Sequence, residues 1–233
     1  MPAAGGWNYQ LLEKLFQALP HNAKTDTFFD FLVRNSLIST WIFAAAFYVF
    51  WTRDDNRTAW RRGRLLQIVI SLATALVASL LVRPWITWPA PSVNPNFQVL
   101  YPQYLWNTGT ADCFPSHSTL IYFTVAAGFW PLSRWVSLIL SAAALATISL
   151  PRVYVGGHYP IDVLASLLLT LFILPLAWRW RVPEAVTNWL NEKGYSTSTL
   201  LRELVLILWL FELGEGFNGS TDMLKYIYHH LFH

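Results

Sequence analysis

Apolar runs of near-spanning length alternate with short polar segments along most of the chain. The runs cover about residues 27–51, 65–82, 117–130, 135–150 and 161–178. A helix needs about 20 predominantly apolar residues to cross the hydrocarbon core of a bilayer. Runs of this kind, bounded by polar segments, are typical of membrane-spanning helices. The pattern therefore predicts an all-α integral membrane protein built on a bundle of five transmembrane helices.

The two ends of the chain carry weaker hydrophobic patterns. Residues 7–19 place their apolar side chains on one stripe, which predicts an amphipathic helix that lies in the membrane interface or packs as an ordinary helix. Residues 204–213 are strongly apolar but only about half of spanning length, so they predict a sixth, tilted span or a re-entrant helix. We therefore divide the chain into an N-terminal segment of residues 1–26, a transmembrane domain of residues 27–182 and a C-terminal segment of residues 183–233.

The composition supports a membrane protein and excludes other classes. Hydrophobic residues make up 55% of the chain and charged residues only 12%, against about 25% charged in soluble domains. Lys and Arg lie between the apolar runs rather than on one face, so we expect no nucleic-acid binding. Cys113 is the single cysteine, so we expect neither an intrachain disulfide nor a thiolate zinc site. The first 25 residues lack a basic start followed by an apolar run, so we expect no cleavable signal peptide.

The basic residues assign a side of the membrane to each loop. Five arginines fall within residues 53–64, Arg134 precedes the fourth span, and two more arginines close the fifth span. Such residues stay on the cytoplasmic side of a membrane. The polar loops at 83–116 and 151–160 then share the opposite side. In a bacterium, they would face the periplasm or the exterior from the plasma or inner membrane.

The loop before the fifth span holds the strongest candidate chemistry. Asp162 follows His158 by four residues, so at the start of a helix the two side chains lie one turn apart. The carboxylate can keep one imidazole nitrogen protonated and leave the other free to attack an electrophile. Arg152 offers a fork of donors for phosphate oxygens, and Gly157 lets the backbone approach a bound phosphate closely. The alternative is a topology arginine beside a simple contact at a helix start.

Two further segments add candidate phosphate ligands on the same side. Ser116 and His117 stand where the third span begins, and a helix N-terminus favours an anion. Ser116 can donate to phosphate, and His117 can protonate a leaving oxygen. A serine N-cap beside an interfacial histidine is the alternative. Arg83 ends the second span, where an arginine is more often a boundary anchor than a ligand.

These three segments, in this order, resemble the type 2 phosphatidic acid phosphatase (PAP2) superfamily. The family pattern is Lys-x6-Arg-Pro, then Pro-Ser-x-His, then Ser-Arg-x5-His-x3-Asp. The resemblance covers about residues 27–178 and is specific at Arg152, His158 and Asp162, with Pro151 in place of the serine. It implies a PAP2-like membrane fold and an enzyme that needs neither a metal nor a cofactor.

The resemblance also implies a role for each matching residue. His158 would be the nucleophile that forms a phosphohistidine, Asp162 its orienting partner, and His117 the acid for the leaving group. The residues that would bind the phosphoryl group are Arg83, Ser116 and Arg152.

The chain departs from the family pattern at two positions. The lysine expected seven residues before Arg83 is replaced by Leu76. The histidine expected two residues after Ser116 follows it directly, as His117. Either one residue is deleted and His117 remains the acid, or Ser118 stands in the histidine's place and the acid is lost. One residue is about 100° of helix, so the two alignments place different side chains in the site.

The expected substrate is a lipid phosphate or diphosphate whose tail stays in the bilayer. Short loops and the polyprenyl-type resemblance favour undecaprenyl diphosphate over lipid A, phosphatidylglycerol phosphate and phosphatidate. One alternative is a phosphotransferase that passes the phosphoryl group to another lipid. Another is a catalytically silent relative that binds or moves a phospholipid, a reading supported by Leu76 and by the shifted histidine.

Overall fold

The computed structural model describes residues 6–19, 21–95, 113–179 and 197–215, with residues 182, 185, 186 and 189. The rest of the predicted C-terminal segment and residues 96–112 of the polar loop lie outside the described residues. All regular structure in these ranges is helical. The α-helices are α1 (Trp7–Ala18), α2 (Ala23–Arg34), α3 (Ser36–Thr52), α4 (Thr58–Val82), α5 (His117–Gly128), α6 (Arg134–Ala143), α7 (Leu150–Tyr154), α8 (Pro160–Arg179) and α9 (Thr197–Glu215). The prediction of an all-α fold is confirmed.

Three helical stretches among the described residues are long and apolar enough to cross a membrane: Thr58–Trp85, Arg134–Tyr154 and Pro160–Arg179. They correspond to the predicted second, fourth and fifth spans. The first is α4 extended by the 3₁₀ turn Arg83–Trp85. The second joins α6 to α7 through a π-helical segment, Ala144–Ser149. A shorter apolar helix covers Thr40–Thr52.

The predicted first span is not one continuous helix. It breaks at Asn35, whose backbone leaves the helical region (φ −101°, ψ 87°). Asn22 begins α2 by accepting from the Lys24 and Thr25 N–H groups, and α2 carries the pair Arg34–Asp30 at 2.8 Å. Charged side chains keep α2 out of the hydrocarbon core, so only α3 serves the predicted span.

Helix α5 is the central element of the bundle, and it is shorter than the predicted third span. Its 12 residues are about 18 Å long, less than a hydrocarbon core of about 30 Å. Neighbouring helices cover almost all of it, and Gly128 lets α4 approach so closely that a Cβ there would lie 2.7 Å from Ile68 Cγ1. The hydroxyls of Thr124 and Thr170 join α5 to α8 at 3.1 Å. Small residues and buried hydroxyl bonds are how membrane helices associate.

The π-helical turn between α6 and α7 has a local cause in the sequence. Pro151 lacks an N–H group, and its ring crowds the carbonyl of the residue four positions earlier in an α-helix. The wider turn at Ala144–Ser149 accommodates this residue. It therefore sets the direction in which α7 delivers Arg152 to the site.

The N-terminal helices pack against the end of the bundle that carries the polar loops. Leu12 of α1 is buried in a cluster with Cys113, Val153 and Tyr159, whereas Trp7 on the opposite face is exposed. The predicted amphipathic helix therefore packs as a protein helix on one face.

A buried hydrogen bond joins α2 to the last residue of α7. The Tyr154 hydroxyl donates to the Asp26 carboxylate at 2.5 Å. The rings of Phe29 and His21 stack on Tyr154, with centroid distances of 4.1 and 4.6 Å. Residues of the first predicted segment and of the transmembrane domain thus share one cluster.

The basic loop between α3 and α4 lies at the opposite end of the bundle. Arg61 donates to the Phe50 carbonyl and to Asp55, each at 2.7 Å. The hydrogen bond from the Arg61 side chain lowers the pKa of the Asp55 carboxyl group below its ordinary value. Phe50 also packs against Phe129 at the far end of α5, with ring centroids 5.3 Å apart. The loop that holds five arginines and the turn before Arg134 are therefore neighbours.

Candidate active site

Two of the three predicted motifs meet where α5 and α8 begin. The Ser116 N–H donates to the Asp162 carbonyl at 3.4 Å, and the Ser166 hydroxyl donates to the Ser116 carbonyl at 3.0 Å. The segment after the first motif joins them, because the Cys113 N–H donates to the Trp88 carbonyl at 3.3 Å. These contacts place the candidate chemistry at one end of the bundle, as the topology prediction requires.

The His158 ring is oriented by a backbone carbonyl. Its Nδ1 lies 2.8 Å from the Cys113 carbonyl oxygen and 3.6 Å from Asp162 Oδ2. A carbonyl oxygen only accepts hydrogen bonds, so Nδ1 carries the proton. The lone pair of the neutral ring is then on Nε2, and the side chain is 16% exposed. The arrangement gives a nucleophilic nitrogen with access to the site.

Asp162 is completely buried and holds the start of α8. Its Oδ2 accepts from the Tyr159 N–H at 2.8 Å, and its Oδ1 accepts from the Trp88 indole N–H at 3.3 Å. A carboxylate at the third helical position that reaches back to the N-cap N–H stabilises a helix start. The predicted His158–Asp162 pair is adjacent at 3.6 Å, but the imidazole donates its hydrogen bond to the Cys113 carbonyl.

The loop between α7 and α8 is fixed by its own backbone. Gly156 has φ 76°, a conformation that favours glycine. The Gly156 N–H donates to the Val153 carbonyl at 3.1 Å, and the Gly157 N–H donates to the Arg152 carbonyl at 2.8 Å. These two bonds form a Schellman motif, which ends a helix. In this conformation the Gly157 N–H caps α7, and its role in binding phosphate stays a prediction.

The two candidate arginines have different surroundings. Arg152 is half-buried, and its Nη1 donates to the Ile148 carbonyl one turn earlier, at 3.3 Å. Arg83 is also half-buried, in the 3₁₀ turn after α4. Among the residues that the structure describes, none forms a hydrogen bond or ion pair with the Arg83 side chain. With respect to this part of the chain, the guanidinium donors are available for a ligand.

Ser116 is buried, and its hydroxyl belongs to a chain of three. It donates to Thr119 at 2.9 Å, and Thr119 is 3.0 Å from the Ser149 hydroxyl. Among the described residues, no side chain caps the N-terminus of α5, and the Ser118 and Thr119 N–H groups in its first turn have no partner within the helix. These backbone groups, rather than the Ser116 hydroxyl in this conformation, are the anion ligands that the helix start offers.

His117 and Ser118 occupy the first two positions of α5, and both are half-buried. Consecutive residues point about 100° apart on a helix. The alignment of the second motif, and with it the role of His117, stays a prediction.

Three contacts of the site have no counterpart in the sequence prediction. The Trp88 indole N–H donates to the Asp162 carboxylate. The Tyr159 ring is buried, and its hydroxyl accepts from the Asn94 amide at 2.9 Å. The Cys113 carbonyl holds the imidazole. A buried carboxylate needs hydrogen-bond donors. This requirement is the single feature of the sequence that indicates a contact such as the one from Trp88.

Cys113, the single cysteine of the chain, has distinctive surroundings. Burial raises the pKa of its thiol above the ordinary value, and the charge of Asp162 adds to the effect. The sequence prediction of no thiolate zinc site takes only the number of cysteines into account. In the structure, one ligand atom each from Cys113, His158 and Asp162 lie within 4.8 Å of one another.

The fold and the site define a class of membrane phosphatase, and comparison with known proteins agrees. The model of the PAP2 superfamily matches residues 64–184. The chain therefore belongs to the PAP2 superfamily, and the predicted resemblance is confirmed. It is an integral membrane phosphatase of the metal-independent PAP2 type.

Two curated relatives are both described as undecaprenyl-diphosphatases. The chain is 25% identical over 199 residues to "Undecaprenyl-diphosphatase BcrC" of Bacillus subtilis (strain 168), covering 80% of this chain and 96% of the relative. It is 34% identical over 103 residues to "Putative undecaprenyl-diphosphatase YbjG" of Escherichia coli (strain K12), covering 44% of this chain and 51% of the relative. No solved structure is significantly similar to the chain.

Proposed function

We propose that the chain hydrolyses undecaprenyl diphosphate to the monophosphate through a phosphohistidine on His158. The observation that carries the proposal is the 2.8 Å contact between His158 Nδ1 and the Cys113 carbonyl. This contact fixes the tautomer whose Nε2 lone pair can attack phosphorus. The names of both curated relatives support the choice of substrate.

The first step transfers the terminal phosphoryl group to the enzyme. Nε2 attacks the terminal phosphorus in line, the bond from phosphorus to the bridging oxygen breaks, and the lipid monophosphate leaves. His117 donates a proton to the leaving oxygen. Arg83, Arg152 and the Ser118 and Thr119 N–H groups in the first turn of α5 bind the equatorial oxygens and stabilise their charge.

The second step returns the enzyme to its starting state. Water attacks the phosphohistidine, the phosphorus–nitrogen bond breaks and inorganic phosphate is released. His117, now deprotonated, accepts a proton from that water. Asp162, 3.6 Å from the ring, stabilises the positive charge that the imidazole carries while phosphorylated.

Phosphate release from undecaprenyl diphosphate in detergent tests this proposal. We expect turnover in the presence of EDTA and loss of turnover in His158→Ala. Rapid quenching of the enzyme with substrate labelled in its terminal phosphate should trap an acid-labile, base-stable phosphoprotein, absent from the variant. Turnover that survives in His158→Ala, or that requires an added metal, would refute the scheme. Transfer of the label to a second lipid alcohol instead of water would indicate a phosphotransferase.

We also propose that the site faces the periplasm or the cell exterior. The support is the positions of the loops: the arginine-rich loop after α3 and the turn before Arg134 meet at one end of the bundle, and the site lies at the other. Trp85→Cys at the site end and Asn56→Cys at the other end are both exposed positions. In intact cells, an impermeant maleimide should label only the first. Labelling of only the second would reverse the orientation.

A further inference from the structure

Three side chains with metal-binding atoms converge beside the proposed nucleophile. Cys113 and Asp162 are 2% and 0% exposed, and the His158 side chain is 16% exposed. One ligand atom from each lies within 4.8 Å of the other two. Cys113 and Asp162 reach this point from segments far apart in the chain, so the cluster is created by the fold.

The geometry of this cluster is close to that of a zinc site. Zinc bonds to sulfur, imidazole nitrogen and carboxylate oxygen are about 2.0–2.3 Å long in a tetrahedron, so ligand atoms stand about 3.3–3.6 Å apart. His158 Nδ1 and Asp162 Oδ2 are already 3.6 Å apart. The remaining distances close with a shift of about 1 Å, and water fills the fourth position as in other three-ligand sites.

We propose that Cys113, His158 and Asp162 bind a thiophilic divalent cation, Zn²⁺, and that the bound ion inhibits the enzyme. A soft thiolate, an imidazole and one carboxylate favour Zn²⁺ over Mg²⁺, which requires six oxygen ligands. The site is inhibitory, so it goes beyond the proposed metal-independent reaction and adds no cofactor to it.

The tautomer of His158 explains why a metal there blocks attack. In the free enzyme Nδ1 carries the proton and donates to the Cys113 carbonyl, and Nε2 holds the lone pair. A cation that binds Nδ1 takes the lone pair of that nitrogen, so the ring proton moves to Nε2. An Nε2 that carries a proton has no lone pair to offer phosphorus. The Cys113 thiol releases one proton to solvent when its sulfur binds the ion.

Zinc titration of phosphate release tests the inhibitory part of the proposal. Each variant is assayed at buffered free Zn²⁺, and its rate is divided by its own metal-free rate, so that differences in basal turnover cancel. We expect wild type to be inhibited by Zn²⁺ and unaffected by Mg²⁺. In Cys113→Ser and Cys113→Ala, the zinc concentration for half-inhibition should rise by about tenfold or more. Zinc bound to the diphosphate substrate would inhibit all three proteins equally and would overturn the proposal.

Cobalt binding tests the site without any turnover. Full-length wild-type protein with Co²⁺ should show a sulfur-to-cobalt charge-transfer band in the near ultraviolet, and monodisperse Cys113→Ser should not. Absence of the band in wild type overturns the proposal, even if the phosphatase scheme holds. Its presence supports the site even if undecaprenyl diphosphate is not hydrolysed. The triple variant His229→Gln, His230→Gln, His233→Gln controls for the histidines near the C-terminus. It should keep wild-type zinc sensitivity, and loss of sensitivity in this variant overturns the proposal.

Discussion

The Asp162→Asn substitution separates the two groups that contact the proposed nucleophile, His158. Asparagine keeps the shape of the side chain but removes its charge and replaces one acceptor with a donor. Its oxygen can still accept the Tyr159 N–H, the shorter of the two bonds at 2.8 Å. Its NH₂ group would then face the Trp88 indole N–H, which now donates to Oδ1 at 3.3 Å. In the variant, two hydrogen-bond donors would therefore face each other at the position where wild type has one hydrogen bond.

The structure sets the size of the effect on stability and on rate. The indole N–H is only partly buried, so leaving it unsatisfied should cost about 1 kcal/mol, the lower end of the usual range. The Cys113 carbonyl still holds Nδ1–H, so the reactive tautomer survives. What the variant loses is the negative charge that is proposed to stabilise the phosphorylated imidazole. We expect kcat to fall about 10- to 100-fold, or about 1.4–2.7 kcal/mol.

The assay compares initial rates of phosphate release for wild type, Asp162→Asn and His158→Ala, with thermal unfolding in detergent measured alongside. Trp88→Phe in the Asp162→Asn background removes the opposing donor. The double variant should therefore be more stable than the sum of the single effects predicts, by about 1 kcal/mol. If Asp162→Asn is as inactive as His158→Ala, the carboxylate sets the tautomer and our assignment of that role to the Cys113 carbonyl is wrong.

Further substitutions at positions 117, 118, 156 and 128 test the site and the packing around it. His117→Ala should slow turnover about 100-fold or more, as expected for loss of a general acid. Ser118→Ala should change kcat little. The opposite ranking would show that the second motif is aligned in the other register. Gly156→Ala forces a side chain into the left-handed region and should lower stability by about 1–2 kcal/mol, and an unchanged melting temperature would contradict the assigned φ. Gly128→Ala places a Cβ against Ile68 and should destabilise by about 1–3 kcal/mol, and Ile68→Val in the same chain should recover part of that loss.

Hydrophobic periodicity predicted the helical fold well because spanning helices must be uniformly apolar. It failed at Asn35 and at the end of α5 for one reason: a run of apolar residues does not reveal whether neighbouring helices or lipid will cover it. Helix α5 is apolar because protein surrounds it, so its length is not set by the thickness of a bilayer. The apolar pattern joins α2 and α3 into one predicted span because the phenylalanines of α2 outweigh its Arg34–Asp30 pair.

The pair His158–Asp162 was predictable because its spacing matches one helical turn. The contact between His158 and the Cys113 carbonyl joins residues 45 positions apart, and a backbone oxygen is present at every residue. No side-chain pattern marks it. The same limit applies to Trp88, whose indole reaches Asp162 across 74 positions. The sequence therefore predicted which side chains can react, whereas the groups that orient them are visible only in the folded structure.

Helix α5 is too short to cross a bilayer, so the depth of the site follows from its longer neighbour. The start of α5 lies beside the start of α8, where the Ser116 N–H donates to the Asp162 carbonyl. Helix α8 has 20 residues and is about 30 Å long, close to the thickness of a hydrocarbon core. A bilayer that α8 crosses would therefore have one of its surfaces near the His158 imidazole. A lipid could present its head group there while its tail remained among the acyl chains.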